Sequence, residues 1–300
     1  MSSPRPFTFH VPDEDIADLR ARLAKTRFPD QAPEAPWTYG ADLAYVRKLV
    51  DYWREKFDWR AQEARLNAFP QFKVALHDID LHYLHVPGQG PAPKPLLLLH
   101  GWPGSLFEFI DLIPRLADPA RFGGDARDAV TVIAPSLPGY GLSFQPGQKR
   151  FGVAAIADCL ADLMTDVLGW KKFIAQGGDW GAHISSSMAV RHPDRLAGIH
   201  LNMLTVNPAL PPPPTPTAEE QRYLDDMREW AKEETGYIQI QGTRPQTLAY
   251  GLTDSPAGIA AWIAEKFHTW TDHTGDFETA VDRDRLLANI SFYWFTGAIG

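Results

Sequence analysis

From residue 95 onward, short apolar runs alternate with helical stretches, and that alternation leaves few folds open. Leu96–Leu99, Val130–Ala134, Phe173–Ala175 and Leu196–Leu201 are short and apolar, and read as buried strands. Helical stretches near 105–117, 152–168 and 181–191 fall between them. Strands joined through helices predict an α/β fold: a mostly parallel sheet with helices on both faces.

The flanking regions read differently. Pro12-Asp13 opens a first helix, with Ile16, Leu19 and Leu23 at helical spacing and Asp13 placed to cap the first turn. A second helix runs from about Ala41 to Phe57, with Leu43, Val46, Val50, Trp53 and Phe57 as its apolar stripe. The period then changes to two through Phe72, Val74 and Leu76 and again through Leu81, Tyr83 and Val86, which predicts a hairpin turning at 78–80. Pro211–Pro214 and Pro216 can be neither helix nor central strand, so a domain boundary falls there. Residues 218–300 read as mostly helical.

Composition narrows the class. With 44% hydrophobic and 22% charged residues, the 300-residue chain is globular rather than disordered. A net charge of −8 without a basic run argues against nucleic-acid binding, which needs clustered lysine and arginine. No apolar run is long enough for a membrane anchor, and the N-terminus lacks the pattern of a secretory signal. The single cysteine, Cys159, excludes an internal disulfide and any multi-cysteine metal site, and fits a reducing cytoplasm.

Gln176-Gly177-Gly178-Asp179-Trp180-Gly181 lies between a strand and a helix. Gly177 and Gly181 bracket Asp179 with the Gly-x-nucleophile-x-Gly spacing of a nucleophile elbow, a sharp turn that presents the central side chain. Aspartate in place of serine selects the reaction. A carboxylate attacking saturated carbon forms an ester that water can cleave, whereas serine would form a dead-end ether. The fitting substrates are epoxides and alkyl halides. Read alone, the segment also fits a tight Gly-Asp turn in which Asp179 merely caps the helix.

His100-Gly101-Trp102-Pro103-Gly104-Ser105 follows the first buried strand. In this architecture the loop there supplies one oxyanion-hole N–H and the residue after the nucleophile supplies the other, here Trp102 and Trp180. A plain Gly/Pro-rich turn is the competing reading. The Gly-Trp-Pro-Gly turn predicts a cis Trp102–Pro103 bond. His100 reads as a structural loop histidine rather than a base.

With these motifs in place, the sequence resembles a microsomal-type epoxide hydrolase over the whole chain. Arg27-Phe28-Pro29, Tyr52-Trp53, Asp58-Trp59-Arg60, Asn67–Phe72, His100–Ser105, Pro135–Gly141, Gln176–Gly181, His200–Met203 and Gly236-Tyr237 carry the resemblance. It implies an α/β-hydrolase fold divided into an N-terminal extension with the first hairpin (1–90), a core (91–207) and an incomplete helical cap (208–300). It implies Asp179 as nucleophile and Tyr237, in the cap, as one of two tyrosines that hydrogen-bond the epoxide oxygen. Its partners would be a small apolar epoxide and water, with no cofactor or metal. A homodimer is compatible with it.

The family's second cap tyrosine, its acid and its general-base histidine lie further toward the C-terminus, so the expectation is that base and acid are not in this chain. His183 is expected to pack under the sheet, His192 to face solvent, and His200 to be a core histidine. His268 and His273 lie beside Trp270 in the cap, and none of the five reads as the base. Trp262, Phe267 and Trp270 fit the lining of an apolar tunnel, but their helix-face spacing favours cap core, and Asp284 and Arg285 read as a solvated helix face. The alternatives are a haloalkane dehalogenase using the same aspartate, or a non-catalytic binding protein on a hydrolase scaffold.

Overall fold

A computed structural model describes residues 3–204 and 215–299, so Pro211–Pro214 and the 207/208 boundary lie outside the described residues. The chain begins with strand β1 (Arg5–Phe7) and helices α1 (Asp13–Ala24), α2 (Leu43–Glu55) and α3 (Trp59–Asn67). The hairpin β2 (Gln71–Leu76) and β3 (Ile79–Val86) follows, then β4 (Lys94–Leu99), short α4 (Ile113–Ala117), β5 (Val130–Pro135), α5 (Val153–Asp162), β6 (Phe173–Gly177), α6 (Trp180–Arg191) and β7 (Leu196–Leu201). Five helices close it: α7 (Ala218–Glu234), α8 (Gly236–Thr243), α9 (Pro245–Asp254), α10 (Pro256–Trp270) and α11 (Arg283–Thr296).

The strands form one seven-stranded sheet in the order β1-β2-β3-β5-β4-β6-β7. β5, β4, β6 and β7 run parallel, and the N-terminal strands join antiparallel through β3 against β5. The alternation of Leu97 and Leu99 against Leu98 divides the core. The first two pack with Ile133, Leu160, Ile184 and Met188 of the α5–α6 side, whereas Leu98 packs with Leu49, Trp53, Ile263 and Ile290. The alternating pattern therefore fixes which helices cover which face.

Local chemistry explains several element boundaries. Asp42 caps α2 by accepting from Tyr45 N at 2.8 Å, and Asp58 caps α3 by accepting from Ala61 N at 3.1 Å. The hairpin turns through His77 and Asp78, both at positive φ (50° and 66°), the backbone that matches the twist of two antiparallel strands.

Several expectations are corrected. Asp13 makes no cap; its carboxylate pairs with Arg60 instead. A third N-terminal helix, α3, was not anticipated, because its buried Gln62 and Glu63 interrupt the apolar stripe. The 105–117 stretch is a 3-10 turn followed by only the short α4. β7 is not a buried strand: it pairs with β6 at one end of the sheet, only Leu196 is buried, and Ile199 is 39% exposed. His200 on β7 is accordingly exposed rather than core.

Residues far apart in sequence tie the first helices to the last. Tyr45 Oη donates to Glu278 Oε1 at 3.0 Å, and Arg283 Nε binds the same oxygen at 2.7 Å. Tyr52 Oη donates to Asp284 at 2.9 Å, so Asp284 is engaged by α2 rather than only solvated. Arg22 reaches Asp254 at 2.9 Å. No helix of the described residues is long and apolar enough to cross a membrane. Tyr45→Phe is expected to lower stability by about 1 kcal/mol through loss of one hydrogen bond to a charged acceptor, read as a fall in thermal midpoint.

Candidate active site

The C-terminal ends of β4 and β6 lie side by side, with Leu99 paired to Gly177. Brought together by parallel pairing, the loops that leave these ends face each other, the position where open α/β sheets hold their sites. Asp179 sits at the turn from β6 into α6 with φ 48° and ψ −125°, a strained backbone for a residue with a side chain. Gly181 permits this turn, since a Cβ there would run into the Leu99 carbonyl. Gly101 permits the approach from the other loop, because a Cβ there would overlap the Asp179 carboxylate.

The carboxylate is held by backbone. Trp102 N–H donates to Asp179 Oδ1 at 2.7 Å, and the Trp180 N–H also stabilises the charge. Burial pushes the carboxyl above its ordinary 3.8, and these two amides and nearby His183 oppose that shift. The Trp102–Pro103 bond is cis, as expected from the turn. Helix α11 braces the loop from below: Asn289 Nδ2 donates to the Pro103 carbonyl at 2.6 Å, and Tyr293 Oη donates to the Gly104 carbonyl at 2.7 Å.

Tyr237 enters from the first turn of α8. Its ring stacks on Trp102, with centroids 5.1 Å apart and planes 9° from parallel. Burial first, then the charges of Asp179 and Glu234, push its hydroxyl up to about 12, so it remains a proton donor at neutral pH. The structure thus gathers Asp179, Trp102, Trp180 and Tyr237 in one place. The Trp180 ring itself is 41% exposed and lies beside His183.

The histidines distribute as follows. His100 is fully enclosed; its Nδ1 bonds the Gly101 carbonyl at 3.1 Å and its Nε2 accepts from Leu137 N at 3.1 Å. Burial lowers it to about 4, so it is a neutral structural residue, as the sequence suggested. His183 does not pack under the sheet; it is exposed on α6. His192 is half-buried and bonds Asp158 at 2.7 Å instead of facing solvent freely. His268 stacks on Trp37 at 3.9 Å, with His273 against it. Among the described residues, no histidine hydrogen-bonds Asp179 and no cluster suits a metal ion.

Three further residues stand at the site, of which Tyr140 and Glu108 were missed by sequence reading. Trp270 is not only cap core: its ring meets Tyr237 edge-on at 5.1 Å and Trp102 at 6.3 Å. Tyr140 stands against His100 at 5.4 Å; burial, and after it the charge of Asp179, raises its hydroxyl far above the usual range. Glu108 lines a cavity of about 230 Å³ together with Asn289 and Arg285. The protein around it and the charge of Asp179 push its carboxyl up to about 8, against the Gly101 and Ser105 N–H groups. A glutamate three residues beyond Ser105 carries no signal of this in sequence, because the loop that turns it back toward Gly104 is a tertiary feature.

Comparison with known proteins agrees with this geometry. The family described as Epoxide hydrolase N terminus matches residues 4–109, and the family described as alpha/beta hydrolase fold matches residues 94–237. A relative from Stigmatella aurantiaca is 47% identical over 291 residues, 97% of this chain and 66% of its own. Epoxide hydrolase 1 of Oryctolagus cuniculus is 38% identical over 98% of this chain and 70% of its own. The solved structure of Aspergillus niger epoxide hydrolase superposes with a TM-score of 0.85 at 30% identity, covering 99% of this chain and 76% of that one. The chain therefore spans about two thirds of the length of the curated relatives it matches.

One outcome follows for the site. Gly181→Ala should cost ~3 kcal/mol or more, because backbone rather than a flexible side chain must yield, as a denaturant titration would show.

Proposed function

The chain belongs to the microsomal-type epoxide hydrolase family, and from that premise we propose that it opens an epoxide by attack of the Asp179 carboxylate. The observation that carries this reading is the hydrogen bond from Trp102 N–H to Oδ1 at 2.7 Å. It fixes one carboxylate oxygen and leaves Oδ2 to attack.

In the first step Oδ2 bonds to an epoxide carbon as that carbon's bond to oxygen breaks. The electron pair goes to the epoxide oxygen, which the Tyr237 hydroxyl holds by a hydrogen bond. A bare alkoxide is a poor leaving group at neutral pH, so this donor lowers the barrier. In the second step water adds to the ester carbonyl. Oδ1 becomes the oxyanion; the Trp102 amide already donates to it and the Trp180 amide adds to the stabilisation of the carboxyl group's charge, each such donor being worth ~3 kcal/mol. Collapse breaks the Cγ–Oδ2 bond; the two protons of the water end on Oδ2 and on the former epoxide oxygen, which gives a vicinal diol and restores the carboxylate with the oxygen of the water in it. The stacked rings of Trp102, Tyr237 and Trp270 suit a small apolar epoxide. Cys159 is a buried free thiol, in keeping with the cytoplasmic location we assign.

The test is rapid-quench mass spectrometry of the intact chain mixed with styrene oxide. A gain of one substrate mass is expected, absent from Asp179→Ala. Its rate should fall as pH drops through a value above 3.8, because the carboxylate must be ionised to attack. Halide release from a haloalkane with neither adduct nor diol from the epoxide would overturn the reading.

A further inference from the structure

Lys266, on α10, is the one lysine buried among the described residues, with 7% of its surface exposed. Lysine is almost never buried without a reason, since its ammonium must be paired once it leaves water. Its Nζ lies 3.1 Å from Glu234 Oε2 and 2.8 Å from Glu265 Oε2. Pairing alone does not account for the arrangement, because an apolar replacement of a buried ion pair is commonly as stable or more so. The ammonium also lies 5.2 Å from the centroid of the Tyr237 ring and 5.3 Å from that of Trp270, within the range of cation–π attraction. Trp270 Nε1 in turn donates to Glu234 Oε2 at 3.2 Å. Lys266, buried, and Glu234 and Trp270, half-buried, thus form one connected group beside the tyrosine that stacks on Trp102.

We propose that Lys266 is a positioning residue for Tyr237: its ammonium holds the phenol ring in place and draws electron density from it, strengthening the hydrogen bond that Tyr237 donates to the opening epoxide oxygen. The inference rests on the reading of Asp179 and Tyr237 given above. The physical argument is one of sign. As the carbon–oxygen bond breaks, negative charge grows on the oxygen and is shared toward the phenol through its hydrogen bond. A positive charge beside the ring favours that sharing, and burial keeps the effect from being screened. Glu234 and Asp179 act on the same hydroxyl in the opposite direction. Without Lys266, the uncompensated Glu234 would oppose the charge shift. Glu265 lies on the Lys266 helix and completes the charged set around the ammonium.

This sets an order of rates that a purely structural role would not produce. Single-turnover adduct formation with styrene oxide is measured for the wild-type chain, Lys266→Met, Lys266→Met/Glu234→Gln and Lys266→Arg, each also in a Tyr237→Phe background. Lys266→Met is expected to be slowest, the neutral pair about tenfold below wild type, and Lys266→Arg within about threefold of it. In the Tyr237→Phe background the same changes should alter the rate less than about twofold, because the residue through which Lys266 acts has lost its hydroxyl. A neutral pair that melts like wild type and reacts at its rate overturns the proposal. So does an equal loss in both backgrounds, which would mark Lys266 as structural. If the neutral pair fails to fold, Lys266→Gln, which retains a donor for Glu234, is read through the same cycle. Absence of an adduct in the wild-type chain would overturn the reading of Asp179 and this inference with it, and is distinct from an adduct that forms regardless of Lys266.

Discussion

The hydrogen bond from Trp102 N–H to Asp179 Oδ1 is the contact on which the rest of the arrangement depends. It joins the loop after β4 to the turn after β6 across 77 residues of sequence, and it forms only because the two backbones nearly touch. Gly101 and Gly181 permit that approach, since a methyl group at either would overlap the aspartate or the β4 backbone. The strain at Asp179, with φ at 48°, is sustained by the surrounding sheet and by α6, which begins immediately after it. A carboxylate in this position is held by dipoles fixed before any substrate arrives, so their orientation costs nothing during reaction.

The second layer consists of elements that come from the far ends of the chain. Asn289 and Tyr293 of α11 hold the carbonyls of Pro103 and Gly104 and so fix the height of the amide that faces Asp179. Helix α11 is in turn tied to α2 by Tyr52 and through Glu278 to Tyr45. The N-terminal extension therefore acts on the site at two removes: it clamps the helices that carry Lys266 and the loop brace. Each tie is a single hydrogen bond or ion pair, and aromatic contacts such as Trp102 on Tyr237 and Trp59 on Phe295 back them with apolar packing.

What escaped the sequence did so for identifiable reasons. Helix α3 was hidden because Gln62 and Glu63 are buried by hydrogen bonds, with Glu63 accepting from Val11 N at 2.7 Å, and partnered polar residues look like surface in a periodicity count. β7 was read as buried because its residues are apolar, yet burial depends on what packs against a strand, not on its composition. His183 and His200 were misplaced for the same reason. Trp270, Tyr140, Glu108 and Lys266 have no local pattern that sets them apart; each acquires its role from residues at least 29 positions away or from a turn that folds it back.

By itself the sequence determined the class of sheet, through alternating apolar runs and helices, and the reaction type, through an aspartate between two glycines at a strand-to-helix turn. Both are local: glycine spacing and hydrophobic period survive in any window that contains them. The tertiary structure alone decided which side chains surround the aspartate, which histidines are enclosed, and how Tyr237 is oriented. Those outcomes rest on distances between segments brought together by β pairing and helix packing, and on the dielectric and charge that result, so no stretch of sequence contains them.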